Sequence, residues 1–253
     1  MALPWTFIFE TVVVIVYMTA WFLIAQSWHR NDVADVAWGF GFLLVAVTAL
    51  LLHEPAGRPV LVTALVAAWG IRVHFRNRNK PEDFRYRKWR EEWGTSFYIR
   101  SYLQVFLLQS ILLVLISTPI IYVSSVRNAP LAYSDVLGVL VWMIGFFFEA
   151  VGDRQLRRFI RNPNNKGRIM TSGLWRFTRH PNYFGEVVLW WGIFFIALSV
   201  PGGWRTIIGP VTITFLLLKV SGIPMLEAKY RGNAQYEAYQ RRTSSFFPLP
   251  PRL

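Results

Sequence analysis

Cysteine is absent from all 253 residues, which removes disulfide frameworks, thiol nucleophiles and cysteine-ligated metals in one step. HExxH and Walker patterns are missing too, and no metal site is expected. The pair Gly39-Phe40-Gly41 sits inside an apolar run instead of following a strand, which excludes a soluble-type dinucleotide fold. Charge is scarce: 16% of residues are charged, against about 25% in an average soluble domain. Acidic residues are the scarcest of these, 14 against 27 Lys and Arg, for a formal net charge of +13. The first apolar run has no basic segment before it and no small-residue cleavage site, so it reads as a retained span. No repeat of solenoid period and no low-complexity tract appears, and a single domain over residues 1–253 is the simplest account.

The remainder is apolar. Hydrophobic residues reach 54%, aromatics 17%, and mean hydropathy is +0.34, a composition that points to lipid as the solvent. Spans need about 20 mostly apolar residues, and seven candidates are visible near 5–27, 37–53, 59–76, 102–124, 134–152, 183–200 and 204–225. All Lys and Arg except Arg58, Arg127, Arg205 and Lys219 then fall in connections or at span ends on one side. By the positive-inside rule the expected fold is all-α and polytopic, with seven transmembrane helices, the amino terminus outside and the carboxyl terminus cytosolic. The segment between Arg76 and Arg100 mixes charge with aromatics, as an interfacial helix does. A pI near 10.5 does not imply nucleic acid, because the basic residues lie at membrane flanks, where topology and anionic headgroups account for them.

Some polar residues are costly where they stand. Glu149, Asp153, Arg157 and Arg161 recur every four residues, which places them on one helix face. That stripe reads either as ion pairs at i,i+4 or as the wall of a polar pocket. Glu149 follows Phe146-Phe147-Phe148, where a carboxylate costs about 2.5–3.5 kcal/mol unless it faces a polar interior. The densest segment is Gly173-Leu174-Trp175-Arg176-Phe177-Thr178-Arg179-His180-Pro181-Asn182-Tyr183-Phe184-Gly185-Glu186. Pro181 suits a first helical position, so a span starts there with free N–H groups flanked by Arg176 and Arg179, an anion site. Asn182 and Glu186 lie a turn apart on one face. Asp32 and Asp35 precede Trp38-Gly39, and either acid has Arg30 or Arg72 to neutralise. Lys219 and Glu227 read as partners for bundle groups or as snorkelling side chains.

With Asp153 and Arg157 before it and the closing run Tyr236 to Pro248 after it, the segment Gly173–Glu186 resembles the steroid 5-alpha-reductase-like membrane enzymes, most closely their bacterial, uncharacterised branch. The resemblance covers the carboxyl-terminal half well, with a cofactor half at about 134–253. In the amino-terminal half it rests on the neighbourhoods of Asp35–Gly39 and Trp69–Arg72. It implies a bacterial inner-membrane enzyme that binds NADPH from the cytosolic side. The implied activity is 3-oxo-5-alpha-steroid 4-dehydrogenase-like, reducing a carbon–carbon double bond conjugated to a ketone in a steroid-like or isoprenoid lipid. The resemblance implies a cofactor pocket lined by Asp153, Arg157, Arg168, Arg179, Asn182 and Glu186, with Tyr239 of the tail as a further match; Glu149, Arg176, His180 and Tyr183 join them as cofactor-binding candidates from the residue pattern itself. Asp35, Tyr86 and Glu186 are the candidate catalytic residues, Asp35 as the counterpart of the family's second-span carboxylate. The chain departs from the steroid-acting members at Trp69, which stands where they carry a ketone-binding tyrosine; Tyr86 is the nearest tyrosine able to replace it. Membrane methyltransferases of the prenylcysteine or phospholipid type share an Arg-His-Pro-x-Tyr-x-Gly element and use S-adenosylmethionine, which makes them the alternative. A non-enzymatic lipid carrier leaves Glu149, Glu186 and Lys219 unexplained.

Overall fold

Proline placed in the first turn keeps φ helical and gives up an N–H that has no intrahelical partner there. The chain uses this start repeatedly. The computed structural model describes every residue apart from Glu54, Ala56, Asn79, Lys80, Pro81, Arg127, Asn128, Ala129 and Leu253; Arg127, one of the outer-loop charges, therefore lies outside the described residues. Helices α1 (Leu3–Trp28), α3 (Arg58–Asn77) and α7 (Thr118–Ser125) have Pro in their first turn, and α9 (Pro181–Ala197) begins on one. Helix α2 (Val33–Leu52) follows α1 after His29, whose left-handed φ of 53° closes α1 while the Arg30 N–H bonds to the Ala25 carbonyl at 3.0 Å.

The polar segment between α3 and the next apolar run forms α4 (Phe84–Trp93), capped by Asp83, whose side chain accepts from the Arg85 N–H. Then α5 (Phe97–Ser101) passes through a π turn (Tyr102–Leu107) into α6 (Leu108–Ile116). Beyond α7 come α8 (Tyr133–Arg161), the 3₁₀ turns Pro163–Asn165 and Gly173–Arg176, and α9. The last helices are α10 (Ile208–Phe215), a second π turn (Leu216–Val220), α11 (Ile223–Ala228) and α12 (Ala234–Arg242). No named strand occurs among the described residues; Thr178 and Ser244 form an isolated bridge.

Five helical stretches are long and apolar enough to cross a membrane: Leu3–Trp28, Val33–Leu52, Phe84–Ile116, Tyr133–Arg161 and Gly203–Ala228. Helices also occupy the two remaining places where spans are expected. The first, α3, carries Arg58, Arg72, His74 and Arg76 and is correspondingly less apolar. The other, α9, has 17 residues, at the lower edge of the roughly 17–25 that span a bilayer.

The chain divides into two compact units, residues 1–132 with 197–209, and residues 133–196 with 210–253. In each, glycine sets how close helices come. Within the first unit Gly39 of α2 and Gly70 of α3 face each other, and a Cβ on either would lie 2.4 Å from the other's carbonyl oxygen. The second unit repeats the device at seven-residue spacing, with Gly138, Gly145 and Gly152 on α8 against Gly192, Gly185 and Pro181 of α9. A Cβ on Gly145 would meet the Leu189 nitrogen at 2.4 Å, and one on Gly185 the Gly145 carbonyl oxygen at 2.4 Å. Lipid tails are as apolar as leucine, so backbone-to-backbone packing of this kind drives helix association in membranes. Gly185→Ala is expected to destabilise the protein by about 1–3 kcal/mol through overpacking, read as a lower melting temperature in detergent; an unchanged melting temperature would contradict the packing.

Candidate functional site

Polar side chains gather in two places, one in each unit. In the first unit the entry to α2 is held by side chains. Arg30 clamps Asp32 through two bonds of 3.0 and 2.7 Å, so of the two acids there Asp32 neutralises the arginine. Asp35, one turn further, does something else. Its carboxylate Oδ1 accepts from the Tyr86 hydroxyl at 2.9 Å, and its Oδ2 lies 3.6 Å from the Arg85 guanidinium. Asn77 at the end of α3 bonds the Asp35 backbone carbonyl at 2.8 Å, and His74 Nδ1 lies 3.1 Å from the Val36 carbonyl, which fixes this turn against α3. Tyr86 is buried, 5% exposed. Gln109 of α6 donates to its hydroxyl oxygen at 3.3 Å, which occupies an acceptor lone pair and leaves the phenolic hydrogen for Asp35. The structure thus joins Asp35 and Tyr86, 51 residues apart in the chain, into one hydrogen-bonded pair. Trp69 packs edge-on against Phe42 at 5.5 Å and is fully buried.

The second unit carries the other predicted residues. On α8, Glu149 is fully buried and Asp153 is 6% exposed, whereas Arg157 and Arg161 are exposed. Arg157 makes no ion pair among the described residues, so the i,i+4 pairing with Asp153 is not formed. Arg154, Arg158, Arg168 and Arg176 are likewise exposed and unpaired among the described residues. A shallow hollow lined by Phe159, Arg161, Asn162, Lys166 and Arg168 opens on this basic face. Asn182 and Glu186 are half-buried on the first turns of α9, and the Asn182 Oδ1 atom is buried with no hydrogen-bond partner. Tyr183 stacks on the His180 ring at 5.5 Å.

Arg179 and His180 meet a residue that sequence reading placed only vaguely. Glu227 Oε1 accepts from Arg179 at 2.8 and 2.9 Å and from His180 Nε2 at 3.0 Å, while its Oε2 accepts from Gln240 at 3.0 Å. Arg179 also donates to the Gln240 and Thr243 carbonyls, and its backbone N–H to the Ser244 carbonyl at 2.8 Å. Tyr239 donates to the Trp175 carbonyl, and Trp175 donates through its indole to the Gly152 carbonyl at 3.1 Å. The carboxyl-terminal tail is therefore strapped over the start of α9, with Leu249 N–H on the Phe177 carbonyl and Phe246 against Phe184. Arg179 and Tyr239 serve this strap. Since a carboxylate only accepts, His180 donates through Nε2, which leaves Nδ1 as an acceptor, buried and without a partner. The signal for Glu227 was its carboxylate at the end of an apolar run; the signal for Gln109 was a carboxamide inside one.

These features define an all-helical integral membrane protein with polar side chains collected in both of its units. Residues 21–243 match the family described as protein of unknown function (DUF1295), and the chain belongs to that family. No curated protein and no solved structure matches it.

Burial pushes the His180 imidazole below its usual range; Glu227 opposes this, and Arg179 adds to it. A base held low in the fold binds its proton more readily when unfolded, so stability is full above about pH 6.5, the ordinary histidine value, and is lost as pH falls through the lowered one. Melting temperature should fall on acidification in the wild type and fall less in His180→Gln. Glu227→Ala leaves the nearly buried Arg179 charge without its counter-ion, a loss on the order of 3 kcal/mol. Limited trypsin digestion should then cut faster at Arg241 and Arg242; unchanged digestion would show that the strap does not depend on Glu227.

Proposed function

We propose that this protein is a membrane-embedded NADPH-dependent reductase of a carbon–carbon double bond conjugated to a ketone in a steroid-like or isoprenoid lipid. It is read as a steroid 5-alpha-reductase-like protein with seven spans, the amino terminus outside and the carboxyl terminus in the cytosol. The observation that carries the reading is the Tyr86–Asp35 pair at 2.9 Å with Gln109 behind it.

A tyrosine hydroxyl held between an amide donor and a carboxylate is an oriented acid. Turned from Asp35 to a ketone oxygen, Tyr86 stabilises the negative charge that gathers on that oxygen as the double bond is reduced. Asp35, an acceptor only, holds the phenolic hydroxyl in place before the ketone arrives, and a proton passed from Tyr86 to the substrate is replaced from water. Arg85, 3.6 Å from Asp35, keeps the pair beside a fixed positive charge.

The cofactor half of the reading rests on the second unit. Arg157, Arg168 and Arg176 are cations with no ion pair among the described residues, which suits the phosphates of a dinucleotide. The buried Nδ1 of His180 and Oδ1 of Asn182 have hydrogen-bonding capacity left over, which suits neutral parts of the same ligand. Glu149, Asp153 and Glu186 supply acceptors for its hydroxyl or amide groups, and Tyr183 a ring beside His180. When bound, NADPH supplies the hydride; the protein supplies position and electrostatics.

Purified protein should be stabilised in a thermal-shift titration by NADPH and not by S-adenosylmethionine; stabilisation by the methyl donor alone would replace this reading with the methyltransferase one. Tyr86→Phe should keep the NADPH stabilisation while NADPH oxidation with a panel of steroid and isoprenoid enones drops about 100-fold or more. An equal rate in the variant would remove Tyr86 from the chemistry.

A further inference from the structure

At the far end of α2 from Asp35 lies a carboxylate that the reading above does not use. Glu10, on α1, is 0% exposed. Its partner is the Thr48 hydroxyl of α2, which lies 2.9 Å from Oε1 and 2.7 Å from Oε2. Thr48 sits 13 residues along α2 from Asp35, about 20 Å at 1.5 Å per residue. No cation pairs with Glu10 among the described residues.

Counting hydrogens decides its state. Thr48 has one hydroxyl hydrogen, and its oxygen is within 2.8 Å of the Leu44 carbonyl and 3.2 Å of the Val45 carbonyl as well as the carboxylate. An ionised Glu10 could take that hydrogen only by stripping it from the carbonyls, and its charge would still be buried with one hydrogen bond and no counter-ion. Such a charge is far too costly in an apolar bundle. A protonated Glu10 closes the set: its O–H donates to the Thr48 oxygen, and the Thr48 O–H donates to the Leu44 carbonyl.

One turn nearer the start of α1, Thr6 is also 0% exposed, and its hydroxyl lies 3.0 Å from Nε2 of His53, the half-buried residue that ends α2. Thr6 and Glu10 share a face of α1 at i,i+4, so hydroxyl and imidazole lead from the helix end toward the acid. Among the described residues nearby, the amino terminus precedes α1, Arg58 at the head of α3 bonds the Pro130 carbonyl at 2.9 Å, Tyr17 donates to the Ala37 carbonyl, and Tyr122 of α7 donates to the Pro201 carbonyl; Asp35, Arg72, His74 and Arg76 belong to the other ends of α2 and α3.

We propose that Glu10 is a membrane-buried proton-binding site, a carboxylic acid at neutral pH that exchanges its proton with water through Thr6 and His53. It is independent of the reductase reading.

Protonated carboxyls in apolar surroundings add to hydrophobic carbodiimides, whereas ionised ones do not. The full-length protein in liposomes, treated at pH 7 with dicyclohexylcarbodiimide, should yield a mass-shifted peptide containing Glu10. Glu10→Gln should lose that adduct, and a water-soluble carbodiimide should not produce it. Infrared spectroscopy provides the second reading: a protonated-carboxyl band present in the wild type and missing in Glu10→Gln, whose exchange into D₂O slows in His53→Gln. Absence of both the adduct and the band at neutral pH would overturn the proton site. A band whose exchange is unaffected by His53→Gln would overturn the route.

Discussion

Hydrocarbon offers no hydrogen bonds, so a polar group carried into a bilayer must be satisfied by the protein itself. That constraint organises both units. In the first, polar side chains are tied to neighbouring elements: Glu10 to Thr48, Thr6 to His53, Tyr17 to the Ala37 carbonyl, Asn31 to Ser101 at 2.7 Å, and Gln109 to Tyr86. In the second, the carboxylate of Glu227 gathers Arg179, His180 and Gln240 around one point. The same bonds that satisfy these groups fix which helices meet and at what height.

Close approach makes those bonds reachable. Where Gly39 meets Gly70, the backbones of α2 and α3 touch, and Asn77 at the end of α3 thereby reaches the backbone of Asp35 at the start of α2. In the second unit the three glycines of α8 let α9 lie against it down to Gly152, where Pro181 begins α9 and Trp175 bonds the Gly152 carbonyl. Glycine packing and polar clusters are therefore coupled: the helices come close where no Cβ intervenes, and the short-range bonds form at the ends of those contacts.

Much of this was legible from local pattern. The helix start at Pro181 and a helix in the charged, aromatic segment between Arg76 and Arg100 follow from residue chemistry over a few positions. Four of the expected spans meet the length and apolarity of a membrane helix near their expected bounds; the fifth such stretch is Phe84–Ile116 where 102–124 was expected, because the helix breaks at Ser117 before Pro119. For α3 the reason it stands apart is its arginines, and for α9 its 17 residues. The Asp35–Tyr86 pairing was approached through family resemblance and not through spacing, because partners 51 residues apart leave no periodic trace. Glu227 was visible as a charge in an apolar setting, but its partners lie 47 and 48 positions earlier in the chain. Only the fold could choose between headgroup, anion and carboxylate as the partner of Arg179.

One irregularity shows how backbone geometry completes the first cluster. Ser101 and Gln109 both bond to the segment around the start of α2, Ser101 through Asn31 and Gln109 through Tyr86 and Asp35. Eight residues apart in a regular α-helix, they would point about 80° away from each other. The π turn Tyr102–Leu107 lies between them, and its wider turn absorbs roughly one extra residue, which rotates the two side chains back toward a common face. A straight α-helix through this stretch would have to give up one of the two contacts. The π turn costs regular hydrogen bonding, and in return a single helix holds both Asn31 at the entrance and Tyr86 in the interior, so the acid pair is positioned by the same element that anchors the turn leading into it.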